Sequence, residues 1–374
     1  MRESEPLQQV DRTYIRYRGR TLSYFGGCDY YRLSSHPAVL AAVEAGLRRF
    51  GLNVAASRLT SGNHHLYLEL EKALAQFFGA EAALLVSGGY VTNLVVAQTL
   101  AGQFSHALID ERSHGSQRDA SQLLDCPVVE FKHRDVQDFA RALHRCGRDT
   151  RPIVLTDGLF AHDGSVAPLR AYLKLLPRDA LMMVDDAHGG GTVGRFGRGS
   201  VEFDGASRSR IVQNVTLSKS LGVYGGAVLC SRQLRARLVE RSRIYSGATP
   251  LPLPLACAAL QALRVLRTDR KLRRRLEQNV AYVKASLRDE GFALPDHPGP
   301  IVGLRLRPAS RAASLKQSLL AAGILPPFGS YCGHAGDGWF RFALSSEHSR
   351  AQLDNLVQTL RPFAAWDATQ STTS

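Results

Sequence analysis

The chain of 374 residues is 44% hydrophobic and 21% charged, the composition of a globular protein long enough for a large and a small domain. No apolar run approaches the roughly 20 residues of a membrane-spanning helix, and the first residues show no signal-peptide pattern, so we expect neither a membrane span nor secretion. The six cysteines are scattered without a Cys-x-x-Cys pair. This argues against a disulfide framework or a zinc site and predicts reduced thiols in a cytoplasmic protein.

The formal net charge of +14 has three interpretations. Nucleic-acid binding is disfavoured, because the charge is diffuse and no basic motif is interleaved with aromatic residues. A phosphorylated acyl carrier, either coenzyme A or an acidic carrier protein, is a better-motivated partner for a basic surface. A solvated surface without a charged partner remains the third interpretation.

The N-terminal part is predicted to form a polar arm, a hairpin and two helices. Residues 13–17 and 21–25 are expected to be short strands on either side of a tight turn at Gly19. Residues 36–50 have the spacing of a helix. The polar, glycine-bearing loop at 55–63 is expected to lead into the next helix.

The first strand of a large domain is predicted at residues 82–86, and it runs into Ser87, Gly88, Gly89 and Tyr90 before another helix. Glycines at this point let the backbone N–H groups of a helix start approach a phosphate closely. The strand, turn and helix together therefore predict a phosphate-binding turn.

Strands at 106–110, 153–156 and 180–184 follow, and the last ends at Asp185. Ligands of open α/β sheets bind at the carboxyl ends of the strands. A buried carboxylate is costly unless it is paired. A protonated pyridine nitrogen would pair with Asp185, which keeps the ring cationic so that it can act as an electron sink. His188 could reach the phenolic oxygen of such a ring.

A buried strand predicted at 211–215 is followed by Thr216, Ser218 and Lys219. A lysine among small hydroxyl residues at a strand end suits imine formation with a carbonyl. The amine must be positioned and partly neutral, and burial near another cation lowers its pKa. The two hydroxyls could hold a phosphate. A surface lysine is the alternative from this stretch alone, and the carboxylate one βα unit upstream favours the imine.

The rest of the chain is predicted to contain a smaller domain. A glycine-rich loop at 189–199 precedes the lysine, a strand at 227–230 follows it, and a long helix at 255–287 is broken near Thr268. The remaining strands and helices are predicted at 301–306, 314–322, 339–344 and 348–360. Their alternation predicts a small C-terminal α+β domain.

The motifs at 185–189 and 216–222, Asp-Asp-Ala-His-Gly and Thr-Leu-Ser-Lys-Ser-Leu-Gly, resemble those of the α-oxoamine synthases, a family of fold type I pyridoxal-phosphate (PLP) enzymes. The resemblance extends over residues 24–360. It implies an α/β fold with a mainly parallel seven-stranded sheet in the large domain. The expected domains are 1–50 (arm and small segment), 51–254 (PLP-binding domain), 255–365 (C-terminal α+β domain) and 366–374 (tail).

The same resemblance implies roles for individual residues. His114 matches a histidine that stacks on the cofactor ring, and Thr249 matches a threonine that reaches the phosphate of the neighbouring subunit, which implies a homodimer with a shared site. Catalysis is expected from Lys219, His114, Asp185 and His188. The implied cofactor-binding set is Ser87, Gly88, Gly89, Tyr90, His114, Asp157, Asp185, His188, Thr216, Ser218, Lys219 and Thr249.

The implied substrate contacts depart from the family pattern. Arg341 matches the arginine that anchors the substrate α-carboxylate, and Asn63 lies in a loop that resembles a family segment near the active site. Cys28 stands where the family has an asparagine that helps to hold the carboxylate, and a thiol cannot supply an amide donor. Ala161 replaces a serine that can hydrogen-bond near the phenolic oxygen. The usual amino-acid contact is therefore in doubt.

The expected reaction joins an amino acid to an acyl thioester of coenzyme A or of an acyl carrier protein, with decarboxylation to an α-amino ketone. Because two family polar groups are missing, another PLP reaction, of aldol type or a transamination, is the alternative. A catalytically silent subunit is a third possibility, against which the presence of Lys219, Asp185 and His188 argues. No metal is expected. The amino acid and the acyl chain stay open.

Overall fold

The computed structural model describes residues 5–329 and 338–364, and the chain divides into two compact units. The larger unit comprises Leu33–Phe160 and Val166–Asp269. The smaller unit comprises Met1–Arg32, Ala161–Ser165 and Arg270–Ser374. Cys332 and the predicted tail at 366–374 lie outside the described residues.

The N-terminal hairpin predicted from the sequence is present in the smaller unit. Its antiparallel sheet consists, in order, of β1 (Gln8–Gln9), β2 (Tyr14–Tyr17) and β3 (Arg20–Ser23). Arg18 and Gly19 have positive φ angles of 47° and 72°. This is the backbone of a two-residue turn whose twist matches that of the flanking strands.

A seven-stranded sheet forms the middle of the larger unit, as predicted. Its strands are β4 (Ala82–Val86), β5 (His106–Asp110), β6 (Val128–Phe131), β7 (Pro152–Asp157), β8 (Leu181–Asp185), β9 (Ile211–Thr216) and β10 (Gly226–Cys230). Their spatial order is β4-β10-β9-β8-β7-β5-β6. Strand β10 is antiparallel to both neighbours and the other pairs are parallel, which confirms the mainly parallel α/β architecture.

Successive residues of the central strands enter two different apolar clusters, because side chains alternate across a strand. In β7, Ile153 and Leu155 belong to one cluster and Val154 to the other. Both faces are therefore covered, and the strands are near-continuous hydrophobic runs. The helices of this unit are α1 (Pro37–Phe50), α2 (His65–Phe78), α3 (Gly89–Leu100), α4 (Gly115–Gln122), α5 (Val136–Arg145), α6 (Leu169–Leu175), α7 (Ser200–Phe203), α8 (Arg232–Arg241), α9 (Arg243–Gly247) and α10 (Leu253–Thr268), with 3-10 turns at Leu33–Ser35 and Arg208–Arg210.

Three parallel strands of the sheet end side by side with polar residues. Asp157 of β7 is paired in register with Asp185 of β8, and Asp185 is paired with Asn214 of β9. Thr216 is the last residue of β9. The loops that follow these strands therefore start from one edge of the sheet, the edge at which open α/β sheets bind ligands.

The long helix predicted at 255–287 consists of two helices. α10 ends at Thr268 and α11 (Arg270–Asp289) follows Asp269, whose φ of −90° and ψ of 85° are not helical. Because α10 packs against α1 and α2, both α1 and α10 lie in the larger unit. The larger unit therefore begins after Arg32 and ends at Asp269.

The remainder of the smaller unit has the α+β character expected for it. After α11 its elements are β11 (Ile301–Leu304), α12 (Ala309–Ala321), β12 (Phe328–Gly329), β13 (Trp339–Ala343) and α13 (Arg350–Leu360). The strands form an antiparallel sheet in the order β11-β13-β12. Across the described residues, no helix is long and apolar enough to cross a membrane.

Candidate active site

A cavity of about 170 Å³ lies in the larger unit and is lined by residues that follow the strand ends. Apart from Ser116 and Ala187, every residue that lines it was predicted as a cofactor-binding residue. The structure thus brings together side chains from five separate segments of sequence. The lining residues are Gly89, Tyr90, His114, Ser116, Asp157, Asp185, Ala187, His188, Thr216, Ser218 and Lys219.

Lys219 lines the cavity from the loop that follows β9. Its Nζ lies 2.8 Å from His188 Nε2. The loop closes on itself, because Leu217 N donates to Gly225 O at 2.9 Å and Val223 N donates to Leu217 O at 2.9 Å. Gly225 has a φ of 131°, a conformation that favours glycine. The lysine amine is therefore held against an imidazole nitrogen and does not extend freely from a surface loop.

Asp185 is a nearly buried carboxylate, with 8% of its surface exposed. Its Oδ1 accepts a hydrogen bond from Ala187 N at 3.1 Å, and its Oδ2 accepts one from Asn93 Nδ2 at 2.7 Å. Ser116 Oγ lies 3.4 Å from the same Oδ2. These bonds offset the cost of burying the carboxylate, which still lines the cavity.

His114 is held in place by the start of α4. Its Nδ1 accepts from Ser116 N at 3.2 Å and lies 2.8 Å from Ser116 Oγ, which makes His114 the N-cap of the helix. The backbone N–H of His114 donates to Asp157 Oδ1 at 3.0 Å. The ring of Tyr90 meets the imidazole edge-on, with centroids 6.0 Å apart. The imidazole is thus fixed in orientation at the cavity wall.

Asp157 is the second carboxylate of the cavity. Its Oδ1 accepts from His114 N and, at 3.3 Å, from Gln117 Nε2. Burial and the neighbouring negative charge of Asp185 raise the pKa of Asp157 well above its usual range. The raised pKa of Asp157 disfavours a second negative charge beside Asp185.

Hydroxyl groups and a helix start line another part of the cavity. Thr216 Oγ1 lies 2.7 Å from Ser218 Oγ and accepts from Ser218 N at 3.2 Å. Gly88 caps α3, and Gly89 is its first residue. A Cβ on Gly89 would lie 2.7 Å from the Thr216 side chain, so a larger residue would fill the space between them. Helix-start N–H groups together with two hydroxyls form a donor set for a phosphate.

Other predicted residues do not line this cavity. Ser87 and Thr249 line a separate, mostly apolar pocket together with Arg58 and Tyr67. Asn63 is exposed, and its Oδ1 accepts from Arg58 Nε at 3.0 Å. The single chain therefore does not bring Ser87, Thr249 or Asn63 to the cavity that holds Lys219.

Comparison with known proteins places the chain in a family. Residues 25–360 match the family model of class I and II aminotransferases. The 8-amino-7-oxononanoate synthase of Thioalkalivibrio sulfidiphilus is 35% identical over 358 residues, covering 95% of this chain and 90% of that protein. That of Methylococcus capsulatus is 37% identical over 340 residues, covering 89% and 86%. The chain belongs to the α-oxoamine synthase family.

The fold of this α-oxoamine synthase agrees with that assignment. A serine palmitoyltransferase from S. paucimobilis, solved with a bound PLP–myriocin aldimine, has a TM-score of 0.88 and 29% sequence identity, covering 95% of this chain and 90% of that one. The fold type I architecture and the PLP cofactor predicted from the sequence are thus confirmed. The chain is a PLP-dependent acyltransferase of the type that condenses an amino acid with an acyl thioester and releases carbon dioxide.

The cavity of this α-oxoamine synthase fits PLP by the chemistry of its donors. The amine of Lys219 matches the cofactor carbonyl, and the carboxylate of Asp185 matches the ring nitrogen. The hydroxyls of Thr216 and Ser218 and the glycine cradle at Gly89 match the phosphate. The carbonyl, the ring nitrogen and the phosphate of the cofactor therefore each have a counterpart among the lining residues.

Two of the three predicted substrate contacts, Arg341 and Cys28, lie in the smaller unit. Arg341 is on β13, and its Nη2 lies 3.5 Å from Cys28 Sγ, so the structure brings these two predicted residues together. Burial and the adjacent Cys28 raise the pKa of Tyr30, which is fully buried, well above its usual range. A thiol is a weak hydrogen-bonding group where the family has an amide. Ala161, the second departure, lies in the short segment Ala161–Ser165 of the same unit.

Sequence reasoning missed three buried polar residues: Ser116, which lines the cavity, and Asn93 and Asn214, which lie behind it. Asn214 Nδ2 donates to Asn93 Oδ1 at 2.7 Å, and Asn93 Nδ2 donates to Ser116 Oγ at 2.9 Å. A signal was available for Asn93, because it follows Gly89 by four residues in one helix and so lies on the same face. No comparable periodic signal marks Asn214, which lies inside an apolar strand.

Proposed function

We propose that this α-oxoamine synthase condenses alanine with a seven-carbon dicarboxylic acyl thioester to form 8-amino-7-oxononanoate or a close homologue. The relatives of that name resemble the chain over nearly its whole length at 35% and 37% identity. The named product defines both substrates, because its amino-bearing carbon and methyl group derive from alanine and its remaining carbons from the acyl group. The convergence of Lys219, Asp185 and His114 on one cavity is the observation that carries the reaction type.

When bound, PLP supplies a carbonyl that condenses with amines and a pyridinium ring that takes up electrons from the α-carbon. We assign to Lys219 Nζ the holding of the cofactor and the uptake of the amino acid's α-proton. His188 Nε2, 2.8 Å away, can share that proton with the amine. A lysine that both holds the cofactor and moves the proton needs this close, fixed partner.

The two carboxyl groups have different tasks in this proposal. Asp185, as an ionised carboxylate, pairs with the protonated ring nitrogen. Asp157, whose pKa is raised by burial and by the neighbouring charge of Asp185, accepts a hydrogen bond from His114 N and so fixes the His114 backbone. The His114 imidazole offers a flat face to the ring and excludes water from that side.

For the substrates, Arg341 is assigned to the α-carboxylate, which a guanidinium can bind through two parallel hydrogen bonds. In the overall reaction a carbon–carbon bond forms between the α-carbon and the acyl carbonyl carbon. The α-proton is removed before this bond forms, the thioester sulfur leaves as a thiolate that takes up a proton, and the α-carboxylate leaves as carbon dioxide and is replaced on the α-carbon by a proton. The net charge of +14 fits a phosphorylated carrier of the acyl group, either coenzyme A or a carrier protein.

The test is mass spectrometry of the products from a panel of glycine, alanine and serine with pimeloyl, succinyl and palmitoyl thioesters. Each acyl group is offered on coenzyme A and on acyl carrier protein. We expect an α-amino ketone and carbon dioxide, with the highest yield from alanine and a pimeloyl thioester. Exchange of amino groups or aldol cleavage without an amino ketone would contradict the proposed reaction, and a higher yield from another pair would contradict the proposed substrates.

We further propose a cytoplasmic homodimer in which Thr249 serves the cavity of the neighbouring chain. The position of Thr249 away from the cavity of its own chain supports this. Lys219→Ala and Thr249→Ala proteins, each inactive, are mixed under conditions of subunit exchange. A shared site predicts partial recovery, because each mixed dimer has one site with both changes and one with neither. No recovery after confirmed exchange would place Thr249 outside the neighbour's site.

A further inference from the structure

A row of buried amide side chains lies behind Asp185. Asn93 and Asn214 are 0% and 1% exposed. Asn214 Nδ2 donates to Asn93 Oδ1 at 2.7 Å, and Asn93 Nδ2 donates to Asp185 Oδ2 at 2.7 Å and to Ser116 Oγ at 2.9 Å. These side chains come from α3, β9 and α4, so the row is a tertiary feature.

The direction of the row depends on the charge of Asp185. An ionised carboxylate only accepts hydrogen bonds, so the Asn93 atom beside it must be Nδ2, and Asn93 Oδ1 must then accept from Asn214. Asn214 Oδ1 is buried and has no hydrogen-bond partner among the described residues. An unsatisfied buried acceptor is costly, so Asn214 Oδ1 destabilises the far end of the row. The charge-assisted hydrogen bond from Asn93 to Asp185 offsets this cost.

Both asparagines of the row are fixed by backbone structure. Asn214 is paired in register with Asp185 across β8 and β9, and its carbonyl accepts from Asp186 N at 2.8 Å. Asn93 follows Gly89 by four residues in α3, a spacing that places both on one face about one turn, roughly 5–6 Å, apart. One helix therefore carries both the glycine at the phosphate cradle and the amide that binds Asp185.

We propose that Asn93, oriented by Asn214, is a positioning residue that holds the Asp185 carboxylate aimed at the cofactor ring nitrogen. Through α3 it also sets the spacing between the ring-nitrogen and phosphate contacts. This inference rests on the proposed role of Asp185. Neither asparagine touches the reacting atoms, so their effect must appear as a change in how the protein recognises the ring nitrogen.

The experiment compares the binding of two cofactors to the cofactor-free full-length protein. One is PLP and the other is its 1-deaza analogue, in which a C–H group replaces the ring nitrogen. Dissociation constants are measured by absorbance and fluorescence titration without any substrate. We expect the wild type to bind PLP more tightly than the analogue by about tenfold or more, the value of a charge-assisted hydrogen bond.

Asn93→Leu should reduce this ratio of dissociation constants by about tenfold, because Asp185 Oδ2 loses its closest donor. Asn214→Leu should reduce it by about threefold, since it acts only through Asn93. Thr99→Val is the matched control: Thr99 is a buried hydroxyl residue of the same helix, bonded to Val95 O at 2.8 Å, and the ratio should stay unchanged.

Failure of this inference and failure of the proposed function give different results. If the wild type binds the two cofactors equally tightly, the proposed role of Asp185 is wrong and the inference about Asn93 is wrong with it. If the wild type binds PLP more tightly and Asn93→Leu weakens the binding of both cofactors by the same factor, Asn93 has only a structural role. In that case only the inference about Asn93 is overturned. Circular dichroism checks folding, and if Asn93→Leu does not fold, the ratio for Asn214→Leu decides in the same way.

Discussion

The cavity in the larger unit and the Arg341–Cys28 pair in the smaller unit follow the family pattern to different degrees. In the cavity, Lys219, Asp185 and His114 keep the family's residue types and have fixed hydrogen-bond partners. In the smaller unit, the expected arginine is present but lies 3.5 Å from a thiol where an amide is expected. We propose from this contrast that the cofactor chemistry is retained and that amino-acid recognition is where this chain diverges.

The largest expected effect concerns Lys219 in the cavity of the larger unit. Lys219→Ala should abolish the visible absorbance of the bound cofactor and lower product formation by at least about a thousandfold, because no other cavity residue offers an amine. Absorbance spectra and product assays measure both. Lys174→Ala, which changes an exposed lysine of α6, is the control and should behave as the wild type. Unchanged colour in Lys219→Ala would remove that residue from its role.

The second prediction compares two neighbouring carboxylates. Asp185→Asn should slow α-proton exchange, followed by NMR in deuterated water, by about a hundredfold or more, since an amide does not stabilise a protonated ring nitrogen as a carboxylate does. Asp186→Asn is the matched control. The Asp186 carboxylate accepts from Ser200 N at 2.8 Å and from Gln213 Nε2 at 2.5 Å and does not line the cavity.

Burial raises the pKa of Asp186 to about 6, so a neutral amide at that position fits its surroundings. The control should therefore fold and exchange the α-proton at a rate close to that of the wild type. An equal loss of α-proton exchange in both variants would show that any substitution at the end of β8 perturbs the local structure.

The third prediction concerns the Arg341–Cys28 pair in the smaller unit. Arg341→Lys should raise the dissociation constant of an amino acid at least about tenfold, because lysine keeps the charge but not the paired hydrogen bonds. Cys28→Asn should tighten binding or leave it unchanged if the site keeps the family's shape. Titration of the cofactor absorbance with glycine, alanine and serine measures both variants. If Cys28→Asn abolishes activity with the cofactor still bound, the pocket has been rebuilt around the smaller residue.

The smallest effect concerns a histidine of the smaller unit. His348 Nδ1 accepts from Ser345 N at 3.0 Å, its Nε2 lies 3.1 Å from Tyr24 O, and its ring stacks on Phe25. Burial, with the charge of Arg32, lowers the pKa of His348 to about 3. The folded state therefore takes up this proton less readily than the unfolded state.

The contribution of His348 to stability is full above its unfolded pKa of about 6.5 and is lost as the pH falls from there towards 3. For this one group, the unfolding free energy changes with pH by at most about 1.4 kcal/mol per pH unit. His348→Gln keeps a donor and an acceptor but does not titrate, so it should flatten the loss of unfolding free energy over this range. Denaturant unfolding at a series of pH values measures it, and an unchanged slope would contradict the assignment.

Much of the fold and of the cavity could be predicted because the information is local. Most strands of the large sheet are short apolar runs, and Asp185 and Lys219 lie at the end of such a strand or in the loop after it. Parallel strands must present their carboxyl ends at one edge, so the order of the motifs already places their side chains near one another. The residue types then select the cofactor.

The packing partners of the helices could not be predicted in this way. Apolar periodicity continues from α10 into α11 with only Asp269 between them, and the pattern does not say which partner each helix covers. α10 packs against α1 and α2, and that contact, made between distant parts of the chain, assigns α1 and α10 to the larger unit. Burial against a particular surface is a property of the folded chain alone.

The sequence by itself determined the kind of sheet, the cofactor and the residues at the strand ends, because spacing and residue type act over a few positions. Only the tertiary structure decided how those residues are held. The row from Asn214 through Asn93 to Asp185 joins two strands and a helix, and the meeting of Cys28 with Arg341 spans most of the chain. Hydrogen bonds depend on distances of about 3 Å between atoms, which sequence separation does not encode and which packing alone sets.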